Sequence, residues 1–150
     1  MTPKRSRGFT LVESLVALLV LSIGLLGVAA MQLMGLRANS GSYQRSQATF
    51  LAQDITDRMR ANRDRALAGN YNVAYGAATP TINATAEADI DAWKARLALT
   101  LPAAASGNAA DDPDGEIDVD LATRIATIRI RWDDTKGVEA PLQFVMRTRI

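Results

Sequence analysis

The feature that most constrains this chain is an almost wholly apolar run from Phe9 to Leu36. A helix over these residues would extend roughly 42 Å at about 1.5 Å per residue. The hydrocarbon core of a bilayer needs only about 20 apolar residues, so the run is long enough to cross it. Lys4, Arg5 and Arg7 precede the run. The positive-inside rule therefore predicts a cytoplasmic N-terminus and places the remainder outside the cytoplasm.

A secretory signal peptide, which has the same basic-then-apolar pattern, is the main alternative to a membrane helix. Its apolar core is shorter, about 7–15 residues, so the length of the run favours the membrane helix. Val28, Ala29 and Ala30 would nevertheless fit a signal-peptidase site. Cleavage there would leave a soluble periplasmic binding module without its anchor.

One ionisable residue, Glu13, lies inside the apolar run. A carboxylate at the centre of a membrane helix costs about 2.5–3.5 kcal/mol, and less near a helix end, where it can reach the headgroups. An ionisable group in a membrane helix is a functional hypothesis by default. The alternative is that Glu13 only marks the membrane border.

The residues from Arg7 to Glu13 read Arg-Gly-Phe-Thr-Leu-Val-Glu, and they resemble the N-terminal signal of type IV prepilins. The resemblance implies cleavage between Gly8 and Phe9 by prepilin peptidase, followed by N-methylation of Phe9. It also implies that Glu13 pairs with the Phe9 amine of a neighbouring subunit during filament assembly. Opposite charges attract strongly in a low-dielectric helix bundle, and either charge left alone is costly. Many major pilins carry a proline in this helix, whereas none occurs here between Phe9 and Thr79.

A helical pattern continues beyond the apolar run. We predict one helix from Phe9 to about Ala68, ended by Gly69, whose outer half packs an apolar stripe into a core. The stripe consists of Tyr43, Phe50, Leu51, Ile55 and Met59, and the polar face of Arg45, Gln53, Asp57, Arg60, Arg63 and Asp64. Asp54 with Arg58, and Asp57 with Arg60, have the spacing of helix-stabilising ion pairs.

Over roughly the first 65 residues, including Ala52 to Arg63, the chain resembles the PilV type of minor pilin. Type II secretion pseudopilins share much of this sequence, and a minor pseudopilin is the closest alternative. The resemblance implies a subunit that primes pilus assembly with other minor pilins, the major pilin and an inner-membrane assembly platform. It further implies roles in twitching motility and attachment, and a location in the inner membrane and then the pilus fibre.

The region after the long helix predicts a short helix from Glu87 to Leu101, capped by Thr85 and ended by Pro102. The inward face of this helix is expected to carry Ile90, Trp93, Leu97 and Leu101. Residues 72–75 could form a short strand in the preceding loop. The segments expected are a leader (1–8), a membrane and assembly helix (9–36), its amphipathic continuation (37–68) and a periplasmic globular region (69–150).

The C-terminal third alternates between apolar and polar residues, which predicts a three-strand antiparallel meander with one buried face. The inward residues are Ile117, Val119 and Leu121, then Ala126, Ile128, Ile130 and Trp132, then Leu142, Phe144, Met146 and Ile150. The fold class is therefore α+β and pilin-like, a long N-terminal helix packed on a small sheet. On the outer face, Arg129 and Arg131 are expected to meet Asp118 and Asp120. Arg147 and Arg149 have no evident acidic neighbour, so they form either a solvated surface or a docking surface.

Composition argues against several classes of function. The chain has no cysteine and no histidine, which excludes disulfides, Ser-His-Asp catalysis and zinc held by imidazole or thiolate. Its net charge is +1, or −2 without the first eight residues, so no nucleic-acid partner is expected. We expect neither enzymatic activity nor a cofactor. The loop from Asp111 to Glu116 places Ala110 and Leu121 at ligand positions of an EF-hand, so only a different kind of calcium loop stays open.

Overall fold

The structure, a computed structural model, describes residues 10–103, 112–134 and 140–150. The predicted leader and Phe9 therefore lie outside the described residues, as does Asp111. The chain divides into two compact units, residues 1–40 and 41–150. Helix α1 is Leu11–Ala61, α2 is Arg63–Leu67 and α3 is Ala84–Thr100. The strands are β1, Asp114–Asp120; β2, Ile125–Trp132; and β3, Leu142–Arg149.

The predicted fold class is confirmed, because a long apolar N-terminal helix is followed by a small antiparallel sheet. The strand order is β1-β2-β3, so each strand pairs with its neighbour in sequence. Inward-facing residues of β1 and β2 are buried, and those of β3 are half-buried. Leu121 was expected to point inward, but it is exposed because it lies in the turn after β1.

The long helix ends earlier than predicted. Helix α1 stops at Ala61, and α2 follows after the single residue Asn62, whose φ of −113° and ψ of 46° are not helical. The Asn62 amide donates a hydrogen bond to the Tyr71 hydroxyl, 3.1 Å away, so its side chain contacts the loop after α2. Gly69 adopts a φ of +79°, which suits a residue without a Cβ, and the predicted helical stop at this glycine is confirmed.

The apolar stripe of α1 is rotated relative to the prediction. Leu51, Ile55 and Met59 are buried as expected, whereas Tyr43 and Phe50 are 62% and 65% exposed. Ala48 and Ala52 take their place in the core. Small side chains at these positions let the helix backbone approach its neighbours closely, which the bulkier aromatic residues would prevent.

Helix α3 begins three residues before the predicted start. Its N-cap is Asn83, whose side-chain oxygen accepts a hydrogen bond from the backbone N–H of Ala86 at 3.0 Å, so Thr85 is not the cap. The inward residues Ile90, Trp93 and Leu97 are buried as predicted. Trp93 also donates its indole N–H to the Leu51 carbonyl of α1 at 2.9 Å.

The register of the sheet corrects the predicted ion pairs. A four-residue turn places Asp120 opposite Ile125, so Glu116 lies opposite Arg129 and forms the ion pair with it. Asp118 faces Thr127, and the Asp120 carboxylate accepts hydrogen bonds from its own turn. The residues opposite Arg131 and Arg129 are Asp114 and Glu116, so the two aspartates expected there, Asp118 and Asp120, lie four residues too far along β1.

A close contact between α3 and β1 gives a test of the core. A Cβ added at Gly115 would overlap the ring of Trp93 and come within 2.9 Å of Leu97 Cδ1. We expect Gly115→Ala to lower the free energy of unfolding by about 1–3 kcal/mol, because the ring has no room to move away. Chemical denaturation of the full chain in detergent micelles, followed by near-ultraviolet circular dichroism, measures this change.

Gly41→Ala is the control, because nothing lies within 4 Å of its added Cβ and the residue is helical. It should be neutral or stabilising, by up to about 1 kcal/mol. Equal stability of the Gly115 variant and the parent would contradict the described packing of Trp93 on β1.

Candidate functional site

The first part of α1 exposes apolar side chains in every direction. In residues 11–36 the large aliphatic residues are all more than half exposed, from Leu11 through Val20 to Leu36. A helix that is apolar all round is typical of a membrane span or the centre of a helix bundle. By length and composition, α1 is a candidate to cross a membrane. The predicted anchoring segment therefore has the surface that a bilayer or a bundle of like helices requires.

The polar residues of this segment fall into two groups. The hydroxyls of Ser14 and Ser22 hydrogen-bond to backbone carbonyls one turn earlier, which satisfies them without water. Glu13 is different, because its carboxylate is exposed and forms no ion pair among the described residues. It lies in the first turn of α1, where the partial positive charge of the helix terminus favours an anion. Its backbone N–H is capped by the Thr10 hydroxyl at 3.2 Å.

A second group of polar residues on α1 lies in the compact unit of residues 41–150, which we call the globular unit. Asp54 and Arg58 are four residues apart on one face of α1, and Asn62 follows at the same spacing just beyond the end of the helix. Arg58 binds Asp54 at 3.2 Å, which confirms the predicted helical ion pair, and also Asp89 of α3 at 2.9 Å. The predicted pair of Asp57 with Arg60 is present as well, at 3.2 Å.

The Tyr71 hydroxyl completes this network by donating to Asp89 at 2.7 Å while it accepts from the Asn62 amide at 3.1 Å. Tyr71 itself is fully buried. Burial, together with the hydrogen bond to Asp89, raises the pKa of Tyr71 to about 12. The same carboxylate raises the pKa of Arg58, so both partners keep the protonation state that the network needs. The network joins α1, α3 and the loop between α2 and α3.

That loop crosses the edge and the outer face of the sheet. Val73 forms two backbone hydrogen bonds with Ile117 of β1, so the expected strand at residues 72–75 is reduced to a single bridge. Further along the loop, the guanidinium of Arg131 lies 4.4 Å from the centre of the Tyr75 ring. The Tyr75 hydroxyl accepts a hydrogen bond from Gln143 of β3 at 3.2 Å. The loop is therefore part of the folded sheet layer.

Two of the carboxylates considered for calcium bind cations of this chain. Asp114 binds Lys94 at 3.2 Å, and Glu116 binds Arg129. Asp111 lies outside the described residues. Within the described ranges, no group of three acidic residues is placed to hold a metal ion.

The sequence predicted the contact of Arg58 with Asp54 but not the contacts that Asp89 makes. The spacing of Asp54 and Arg58 indicated an ion pair, but Asp89 and Tyr71 were not expected as partners. Arg58 and Asp89 are 31 residues apart in the chain, and no local pattern connects them. The one sequence feature that could have indicated the network is Asn62, which continues the four-residue spacing of Asp54 and Arg58 just past the end of α1.

Comparison with protein families gives two adjacent matches. Residues 3–29 match the prokaryotic N-terminal methylation motif, and residues 30–93 match the family Type IV pilin Tt1218. Over these two segments the chain is therefore similar to the N-terminal methylation motif and to a type IV pilin family. No curated protein and no solved structure gives a significant match. The first match includes Glu13, and the second contains the whole network around Arg58 and Asp89.

A change of pH tests the Tyr71 network. A tyrosine in the unfolded chain has a pKa of about 10, lower than that of Tyr71 in the fold. The stability contributed by neutral Tyr71 is therefore fully present below about pH 10 and is lost as the pH rises towards 12. We expect the free-energy difference between the parent and Tyr71→Phe to change by about 1–2 kcal/mol across that interval.

Urea titrations of the full chain in micelles at several pH values measure this difference. Tyr43→Phe, which removes a hydroxyl from an exposed side chain, is the matched control. The described hydrogen bonds would be wrong if the Tyr71→Phe difference stayed constant from pH 8 to pH 12.

Proposed function

We propose that this chain is a minor pilin of a type IV pilus, of the PilV type, with a structural rather than a catalytic role. The observation that carries the proposal is Glu13, which lies near the start of the apolar segment of α1 and within a match to the N-terminal methylation motif. The large aliphatic side chains of this segment, residues 11–36, are all exposed. An inner-membrane subunit needs such a helix twice, first in the bilayer and then in the filament. The globular unit would face the periplasm.

Processing would precede assembly. Residues 1–8 would form the leader, and prepilin peptidase would cut between Gly8 and Phe9 and methylate the new amine of Phe9. The match to the methylation motif supports this step, since it begins at residue 3 and includes both residues. Residues 9–36 would then act as the membrane and assembly helix, residues 37–68 as its continuation and residues 69–150 as the globular region.

Glu13 would set the register of the subunit in the filament. Its carboxylate is exposed on the first turn of α1, so it can reach the Phe9 amine of a neighbouring subunit without a change in the helix. The attraction is strong between helices in a low-dielectric bundle, and an unpaired charge there is costly. A subunit that enters in another register would leave Glu13 unpaired.

The partners proposed are prepilin peptidase, other minor pilins, the major pilin, the inner-membrane assembly platform and the lipid bilayer. The resemblance of roughly the first 65 residues, including Ala52 to Arg63, to PilV-type minor pilins supports a position in a complex that primes assembly near the tip. Twitching motility and attachment are the activities this role would support. A minor pseudopilin of a type II secretion system is the second candidate, because it shares the N-terminal half.

Intact mass tests the processing step. After co-expression with a prepilin peptidase, we expect the chain to lose residues 1–8 and to carry at most one added methyl group. Gly8→Leu should block the cut, because the bulkier side chain alters the residue before the scissile bond, and Ser6→Ala should leave cleavage intact. A chain that starts at Met31 would show ordinary signal-peptide cleavage and would contradict the proposal.

Complementation of a deletion strain tests the role in the pilus. We expect deletion to reduce surface pili while secretion of type II substrates continues. The parent gene and Ser14→Ala should restore pili, whereas Glu13→Ala should enter filaments at least about tenfold less well, since the buried amine loses its partner. Loss of secretion with normal pili would favour the pseudopilin instead.

A further inference from the structure

The two edges of the sheet differ in how they are covered. On the β1 edge, Val73 pairs with Ile117, and the Asn72 side chain accepts a hydrogen bond from the Val119 N–H at 2.9 Å. On the β3 edge, no residue in the described ranges pairs with the backbone. An uncovered edge presents a row of free N–H and C=O groups to another chain.

One hydrogen bond shows which residues of β3 face the open edge. The Ile150 N–H donates to the Arg124 carbonyl at 3.0 Å, so Ile150 forms a hydrogen-bonded pair towards β2. In an antiparallel ladder such pairs alternate along the strand. The even-numbered residues of β3 therefore bond to β2. The outward backbone groups belong to Gln143, Val145, Arg147 and Arg149, whose side chains are all exposed on the outer face.

The side chains beside this edge are basic and apolar. Arg147 and Arg149 form no salt bridge among the described residues. The Asp120 carboxylate accepts hydrogen bonds from the Thr123 hydroxyl and from the Ala122 N–H, which lower its pKa, and the charge of Arg147 lowers the pKa of Asp120 only slightly further. By contrast, Asp54, Asp89, Asp114 and Glu116 each bind a cation of this chain.

We propose that the β3 edge binds an extended acidic segment of another protein chain by strand addition. Carboxylates at alternate positions of the added strand would lie opposite Arg147 and Arg149, and an apolar residue would lie opposite Val145. An open groove lined by Ile125, Arg147 and Arg149 leaves room for the first acidic side chain. Two β3 edges would place arginines close together, so the same charges oppose self-pairing of this edge between two copies of the chain.

The proposed strand addition goes beyond the proposed function and does not depend on leader processing or Glu13.

The register defines a probe. In an antiparallel strand that begins opposite Arg149, the peptide Glu-Thr-Glu-Val-Val-Val-Thr places its glutamates opposite the two arginines. Its valines at positions four and six lie beside the half-buried Met146 and Phe144. In the bound peptide, the N–H groups of the third and fifth residues point towards β3, whereas those of the fourth and sixth residues point away from it.

The experiment measures binding of this labelled peptide to the full chain in detergent micelles, together with amide exchange. We expect saturable binding and slower exchange at the amides of Val145 and Arg147. Replacing both glutamates by lysine, or changing Arg147 and Arg149 to alanine, should weaken binding at least about tenfold. Arg65→Ala, on the exposed face of α2, is the matched control and should bind normally.

Backbone controls separate strand addition from simple charge attraction. N-methylation of the third and fifth peptide residues should abolish binding, whereas N-methylation of the fourth and sixth should not. Val145→Pro should also abolish it without unfolding the sheet, since the N–H it removes faces the open edge. The proposal is overturned if millimolar peptide does not bind, if the lysine peptide binds equally, or if neither backbone change matters. It is overturned as well if a single-stranded oligonucleotide binds through the same arginines regardless of Val145→Pro.

Discussion

The ion pair between Arg58 and Asp89 links separate elements of the globular unit to one another. It joins α1 to α3, and the hydrogen bond from Tyr71 to Asp89 adds the loop that covers the β1 edge. Asp89 is mostly buried, so either partner left alone would bear a desolvation cost without the compensating attraction. The same carboxylate therefore contacts both α1 and the start of the loop that crosses the sheet, while Ile90, Trp93 and Leu97 pack α3 into the core.

Much of the fold could be predicted because periodicity is a local property. The alternation in the last third gave the three strands, and the spacing of Ile90, Trp93 and Leu97 gave the buried face of α3. The register could not be read, because the turn after Asp120 has no glycine and uses Arg124 at a φ of 58°. With that turn, the residues opposite Arg129 and Arg131 lie four positions earlier in β1 than Asp120 and Asp118.

The α1 helix shows a second limit of sequence reasoning. We predicted that Tyr43 and Phe50 belong to the buried stripe because they are large and apolar, but the fold buries Ala48 and Ala52 instead. Alanine suits a close approach and also any exposed helix, so its burial carries little signal in a single sequence. The assignments at Gly8, Phe9 and Glu13 depend on the motif itself and stay predictions, since the structure does not describe the residues on both sides of the cut.

Both tryptophans of the chain lie in the globular unit, and this has a practical consequence for spectroscopy. Trp93 and Trp132 are buried, with their indole N–H groups bonded to Leu51 and Gln44. The apolar helix of residues 11–36 contains no tryptophan. Intrinsic fluorescence should therefore report the integrity of the globular unit alone, whether the helix is held in a micelle, a bilayer or a filament. A single optical signal could then follow the folding of this unit while its anchor changes surroundings.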